Sequence, residues 1–66
     1  MIKPLTDRQK EILRMIMEGN TSQQIADTLG LSIYTVSNHR KNIMHKTGSS
    51  NSMEMVVWGM RNNLLK

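Results

Sequence analysis

Apolar residues recur along the chain at the three- and four-residue intervals of an α-helix, in blocks separated by glycine or short polar runs. The first block holds Ile12, Leu13, Ile16 and Met17, with Arg8, Lys10, Glu11, Arg14 and Glu18 mostly outside that face. Thr6 stands at the N-cap position, and Gln9 three residues later completes a capping box. Asp7 suits the positive end of the helix dipole. Gly19-Asn20 supplies a stop signal. The pattern predicts a helix over residues 7–18.

A second capping box, Thr21 with Gln24, opens a two-turn helix over 22–29 whose inward residues are Ile25, Ala26 and Leu29. Gly30 ends it in the manner of a left-handed C-cap, with Leu31 packing back under the turn. Ser32 caps a third helix over 33–47. At 100° per residue, Ile33, Val36, Arg40, Ile43 and Thr47 fall within roughly 60° of one another, which makes Val36 and Ile43 the core anchors. Tyr34, Asn38, Lys41 and His45 fall on the opposite side, flanked by Ser37 and Asn42. After the loop 47–50, Asn51 or Ser50 caps a fourth helix over 51–63, and Asn51 with Glu54 makes a third capping pair. There Met53, Val56, Val57, Met60 and Leu64 form one apolar stripe, with Met55 and Trp58 beside it. That helix is apolar over more than half its circumference, one face too many for a small core. Four helices, short loops and no strand signal predict a compact all-α four-helix domain occupying residues 1–66. The glycine join between its second and third helices has the form of a helix-turn-helix, whose second helix enters the DNA major groove.

Composition narrows the picture. With 66 residues the chain forms one domain, and at that size only about 60% of the unfolded chain's surface is buried on folding. There is no cysteine, which excludes disulfides and thiolate-rich zinc sites and gives no sign of an oxidising compartment. No apolar run approaches the roughly 18 residues of a membrane span, and no signal peptide is visible. These features describe a soluble cytoplasmic protein, or a domain of one, without a membrane partner. Nine Lys and Arg against five Asp and Glu leave a net charge of +4. Such an excess fits a polyanionic partner, nucleic acid first, although it also merely keeps a small protein soluble. Position decides between these. No Asp or Glu occurs between Asp27 and Glu54, so the outer side of the third helix carries hydrogen-bonding groups and positive charge without an acid.

Catalytic chemistry finds no footing. Asp7 and Glu11 share a solvent-side helix face with neighbouring bases, and a solvated face explains them better than an acid/base pair. His39 and His45 stand about 240° apart around the third helix and do not share a metal. No glycine-rich phosphate loop, nucleophile setting or cofactor motif is present. We therefore expect no enzyme activity, cofactor, metal or small-molecule ligand in this domain.

From Thr35-Val36 through His39, Ile43 and Lys46, the third helix resembles the recognition helix of the LuxR-type (GerE/FixJ/NarL-like) helix-turn-helix domain. The form is T-V-x-x-H-x-x-x-I-x-x-K. Leu5-Thr6 with Arg8, Glu18-Gly19, Ile25-Ala26 with Leu29, Ser32, and Asn51 with Glu54 extend the likeness over nearly the whole chain. The resemblance implies a cytoplasmic, nucleoid-associated bacterial domain that binds operator DNA as a dimer and regulates transcription. It implies a third helix in the major groove, a fourth helix that dimerises, and RNA polymerase as a further partner. Three positions depart from the family's usual residues: Gln9 where Glu is usual, Thr47 where Leu is usual, and Ser52 where Arg is frequent.

The same resemblance implies that base edges are read from Ser37, Asn38 and Lys41. The chemistry agrees, because Asn pairs with adenine, Lys donates to guanine and Ser is permissive. Tyr34, Thr35, His39, Arg40 and Lys46 are candidate phosphate contacts, which set register rather than sequence. Thr21, Ser22 and Gln23 join them from the second helix, although capping alone explains their presence. Arg40 has a competing role, packing its stem on the core, and His39 another as a structural histidine at the core's edge. Met55, Trp58 and Arg61 are the candidate dimer face, with Trp58 equally placed to cover one side of the core. Two other functional classes stay open on the residues alone. One is a promoter-binding domain like the C-terminal region of a sigma factor, which shares the opening Leu-Thr-x-Arg-Gln. The other is a protein-interaction module that uses the apolar fourth helix.

Overall fold

The computed structural model describes residues 4–64. It contains four helices: α1 (Asp7–Met17), α2 (Ser22–Leu29), α3 (Ile33–Thr47) and α4 (Ser52–Arg61). The starts follow the caps read from the sequence. Thr6 Oγ1 accepts from Gln9 N while Gln9 Oε1 accepts from Thr6 N, and Thr21 with Gln24 repeats this reciprocal pair. Ser32 and Asn51 accept from the third residue of α3 and α4.

All four helices stop in the same way. Gly19, Gly30, Gly48 and Asn63 take positive φ, and the residue after each donates its N–H five residues back. Thus Leu31 bonds the Ala26 carbonyl and Leu64 the Gly59 carbonyl. This is the 6→1 bond of a Schellman ending, which turns the chain sharply and tucks the next apolar residue under the helix. It ends α1 one residue and α4 two residues before the bounds expected from the pattern. At the end of α4 the left-handed residue is Asn63, at φ 59, and asparagine tolerates this region better than most side chains.

Leu5, Ile12, Leu13, Ile16, Ile25, Ala26, Val36, Ile43, Met55 and Leu64 make the core, and α1 packs on each of the other three helices. Val36 and Ile43 are fully buried, as the helical wheel requires, and they fix how α3 is rotated against α1 and α2. Ile33 lies on the same arc but is exposed.

The inward face of α4 corrects the expectation. Met55 and Gly59 face in, Val56 and Trp58 are half-buried, and Met53, Val57 and Met60 are exposed. Met55 is fully buried and so cannot belong to a dimer face. The wheel failed because Gly59, which adds nothing to an apolar count, is buried on the side of α4 that packs against the Met17 and Leu13 side chains of α1. A Cβ at that position would lie 2.5 Å from Met17 Sδ and 3.6 Å from Leu13 Cδ2. Rotating α4 to bring Gly59 inward carries Met55 in and turns Met60 out.

Candidate nucleic-acid interface

The frame described above holds α3 from three sides, and its cationic side chains divide into fasteners and free groups. Lys46 Nζ donates to Gln9 Oε1 at 2.8 Å and to the Pro4 carbonyl at 3.3 Å, which ties the end of α3 to the start of α1. Arg40 Nη2 donates to Ser52 Oγ and ties α3 to the start of α4. Arg14 Nε donates to the Leu64 carbonyl at 2.6 Å and pins the turn after α4 onto α1. Each fastener ends on a neutral oxygen, so the positive charge is held but not neutralised. Among the described residues the one ion pair is Arg8–Glu11, at 3.3 Å on the exposed side of α1, where such pairs contribute little.

The residues expected to read bases are placed differently. Ser37, Asn38 and Lys41 are exposed, and none of these side chains is hydrogen-bonded to another described residue. Tyr34 stands beside them, 80% exposed, and Asn42 and His45 extend the same surface toward the end of α3. The ten residues Asn38 to Thr47 include no acid. The surface is therefore polar, cationic and free of internal commitments, with donors and acceptors available to a ligand.

The expected phosphate contacts separate into two groups. Tyr34 and Thr35 are exposed at the amino end of α3, although Thr35 also engages the Ser32 cap, Oγ to Oγ at 3.0 Å. His39 and Arg40 are half-buried on the flank. A groove brings Arg40 together with Thr21 and Ser22 at the amino end of α2, and with Ser52; no acid lines it. Gln23 lies outside that groove and donates to Asp27 Oδ1 at 2.9 Å. Lys46 is not positioned with the others. Its ammonium turns back into the fold, so its first role is structural.

On α4, Trp58 packs against the core and lines grooves toward both neighbouring loops, while Arg61 is exposed. The outward apolar groups are instead Met53, Val57 and Met60, at 76%, 40% and 63% exposure. Two tertiary roles escaped the sequence reading, those of Gln9 toward Lys46 and of Ser52 toward Arg40. Gln9 is 6% exposed and serves as both cap and anchor for Lys46. Its signal was its place one turn before Leu13, on the apolar stripe of α1. The pairing of Ser52 with Arg40 left no sequence signal, because it joins residues on different helices.

A buried three-helix frame presenting an unencumbered polar helix after a glycine turn is the helix-turn-helix of DNA-binding transcription regulators. The comparisons with known proteins specify the family. Residues 3–59 match the family described as bacterial regulatory proteins, luxR family. The chain belongs to that family. It is 32% identical over 62 residues to the transcriptional regulatory protein MctR of Rhizobium johnstonii, covering 94% of this chain and 29% of MctR. It is 42% identical over 57 residues to the uncharacterized response regulatory protein YgeK of Escherichia coli, covering 86% of this chain and 39% of YgeK. With the transcriptional regulatory protein LiaR of Bacillus subtilis the identity is 39% over 61 residues, 92% of this chain and 29% of LiaR. The chain thus spans less than half the length of these relatives. Among solved structures, a VqmA–ligand–DNA complex from Vibrio cholerae superposes with a TM-score of 0.88 at 25% identity, over 97% of this chain and 28% of that one. Membership of this family separates the chain from sigma-factor regions, and no described helix is long and apolar enough to cross a membrane.

Proposed function

We propose that the chain binds duplex DNA sequence-specifically, with α3 in the major groove, and regulates transcription as a dimer. The observation that supports this best is the outer face of α3, where Ser37, Asn38 and Lys41 are exposed, internally unpaired and without a neighbouring acid on the helix. In this reading Asn38 pairs with adenine, Lys41 donates to guanine, and Ser37 adapts to either neighbour. Tyr34, Thr35, His39 and Arg40 hold backbone phosphates, joined by Thr21, Ser22 and Gln23 around the amino end of α2. Lys46 acts on DNA through its charge rather than by contact. The dimer uses the outer side of α4 through Met53, Val57 and Met60, with Trp58 and Arg61 at its margin and Met55 excluded. Two copies match the two half-sites of a symmetric operator.

Selection of bound duplexes from a random pool, followed by titration of selected and random duplexes at two salt concentrations, tests this reading. Affinity falls steeply with salt for both. Asn38→Ala and Lys41→Ala each cost about 1–3 kcal/mol of discrimination between the two duplexes. Arg40→Ala weakens both alike. Binding that is absent, or indifferent to salt, sinks the proposal. For the dimer, Met60→Glu lowers affinity for a two-half-site duplex far more than for a single half-site, and equal losses refute that arrangement.

A further inference from the structure

The Gln9–Lys46 contact raises a chemical question that its geometry alone does not answer. Gln9 Oε1 accepts from two donors, Thr6 N at 3.0 Å and Lys46 Nζ at 2.8 Å. A glutamate oxygen at the same place would accept both bonds equally well. The Pro4 carbonyl, the other acceptor of Lys46, is neutral too. What the amide achieves, and a carboxylate would not, is to fasten the ammonium while leaving its charge uncompensated. Lys46 forms no ion pair within the described residues, and its own helix carries no acid. Its backbone stands one turn beyond Asn42 and about 12 Å along the axis from Asn38, with the ammonium reaching back to Gln9 and Pro4. That separation is close to the Debye length of about 10 Å at 0.1 M salt. A charge there is felt by phosphates flanking the reading face, and salt removes its effect.

We infer that Gln9 is a positioning residue for DNA binding. Through a neutral oxygen it locks the end of α3 onto the start of α1, and it leaves Lys46 as a standing positive charge that strengthens duplex association without reading sequence. The inference rests on the DNA-binding function proposed above. It separates two properties that one ion pair would merge, the rigidity of the α1–α3 joint and the electrical attraction of the reading face.

The test is Gln9→Glu, which alters one unit of charge in a nearly isosteric side chain. Its thermal midpoint without DNA stays equal or rises, because the joint becomes an ion pair. Its affinity for a random duplex falls about fivefold at about 50 mM salt and by less than about twofold at about 300 mM, since the lost attraction is screened. The ratio of selected to random duplex affinity stays unchanged. Lys46→Gln, which keeps a hydrogen-bonding partner for Gln9 and removes the cation, shows the same screened loss. A loss that persists at high salt, or a changed selected-to-random ratio, means that α3 has been displaced, and this overturns the inference. A lowered thermal midpoint for Gln9→Glu also overturns it, since the amide would then be required by geometry. Unchanged low-salt affinity in both variants overturns it while leaving the proposed function intact. If the unmodified chain binds neither duplex, the function falls and the inference falls with it.

Discussion

Met55→Ala distinguishes a core residue from an interface residue on α4. Met55 is fully buried in the single chain, and truncating a buried Met, Leu or Ile to Ala costs about 2–5 kcal/mol. The thioethers of Met15, Met17 and Met44 pack against the same core, and such flexible side chains bend easily into a gap, which places the cost near the lower end, about 2–3 kcal/mol. A chain of this length has a total stability of about 3–10 kcal/mol, so the substitution removes a large share. At about 4–8 °C per kcal/mol for a domain of this size, the melting midpoint falls by about 10–20 °C. Urea unfolding followed by far-ultraviolet circular dichroism, at two protein concentrations tenfold apart, measures it. The loss is the same at both concentrations, because the cavity lies within one copy. A loss below about 1 kcal/mol, or one that grows on dilution, would refute the placement of Met55 in the core. Met60→Ala, at an exposed position, is the internal control and changes single-chain stability by less than about 0.5 kcal/mol.

Other substitutions probe the frame that aims α3. Gly59→Val forces a branched side chain against Met17 and Leu13; overpacking together with a poorer α1–α4 approach costs about 2–3 kcal/mol by denaturant titration. Gly30→Ala meets no steric contact, yet φ is 68° there. Backbone strain alone therefore costs about 1 kcal/mol, measured as a shift in unfolding midpoint with unchanged slope. Thr21→Ala removes the acceptor for Gln24 N and costs about 1 kcal/mol by thermal melting.

How much of this was legible in the sequence depended on where each interaction lives. The bounds of α2 and α3 were read to the residue, because Thr21, Gln24, Gly30 and Ser32 act on their own helix ends. Val36 and Ile43 were equally plain, being apolar residues two turns apart on one side of a helix whose opposite side is polar. The rotation of α4 was not legible. Six of that helix's ten residues have apolar side chains, too many for one face, and the deciding residue, Gly59, matters because it has no side chain. The commitments of Lys46, Arg40 and Gln9 were hidden for another reason. Their tertiary bonds join residues from 12 to 42 positions apart, and no local spacing records such a pair. Outward positions on α3 were readable, but which cations stay free to meet a ligand became clear only from the packing.

The rotation of α4 also sorts the methionines by their chemistry toward oxidants. The chain has seven methionines and no thiol to intercept peroxide, so its thioethers are the groups first converted, here to sulfoxides. Among the α4 sulfurs, Met53 and Met60 meet solvent and Met55 does not. Mild peroxide therefore places new polar oxygens on the outer side of α4 before it reaches the core. Among the described methionines of α4, the first change thus falls on the outer side of the helix, where the proposed dimer contact lies, while the core Met55 is spared.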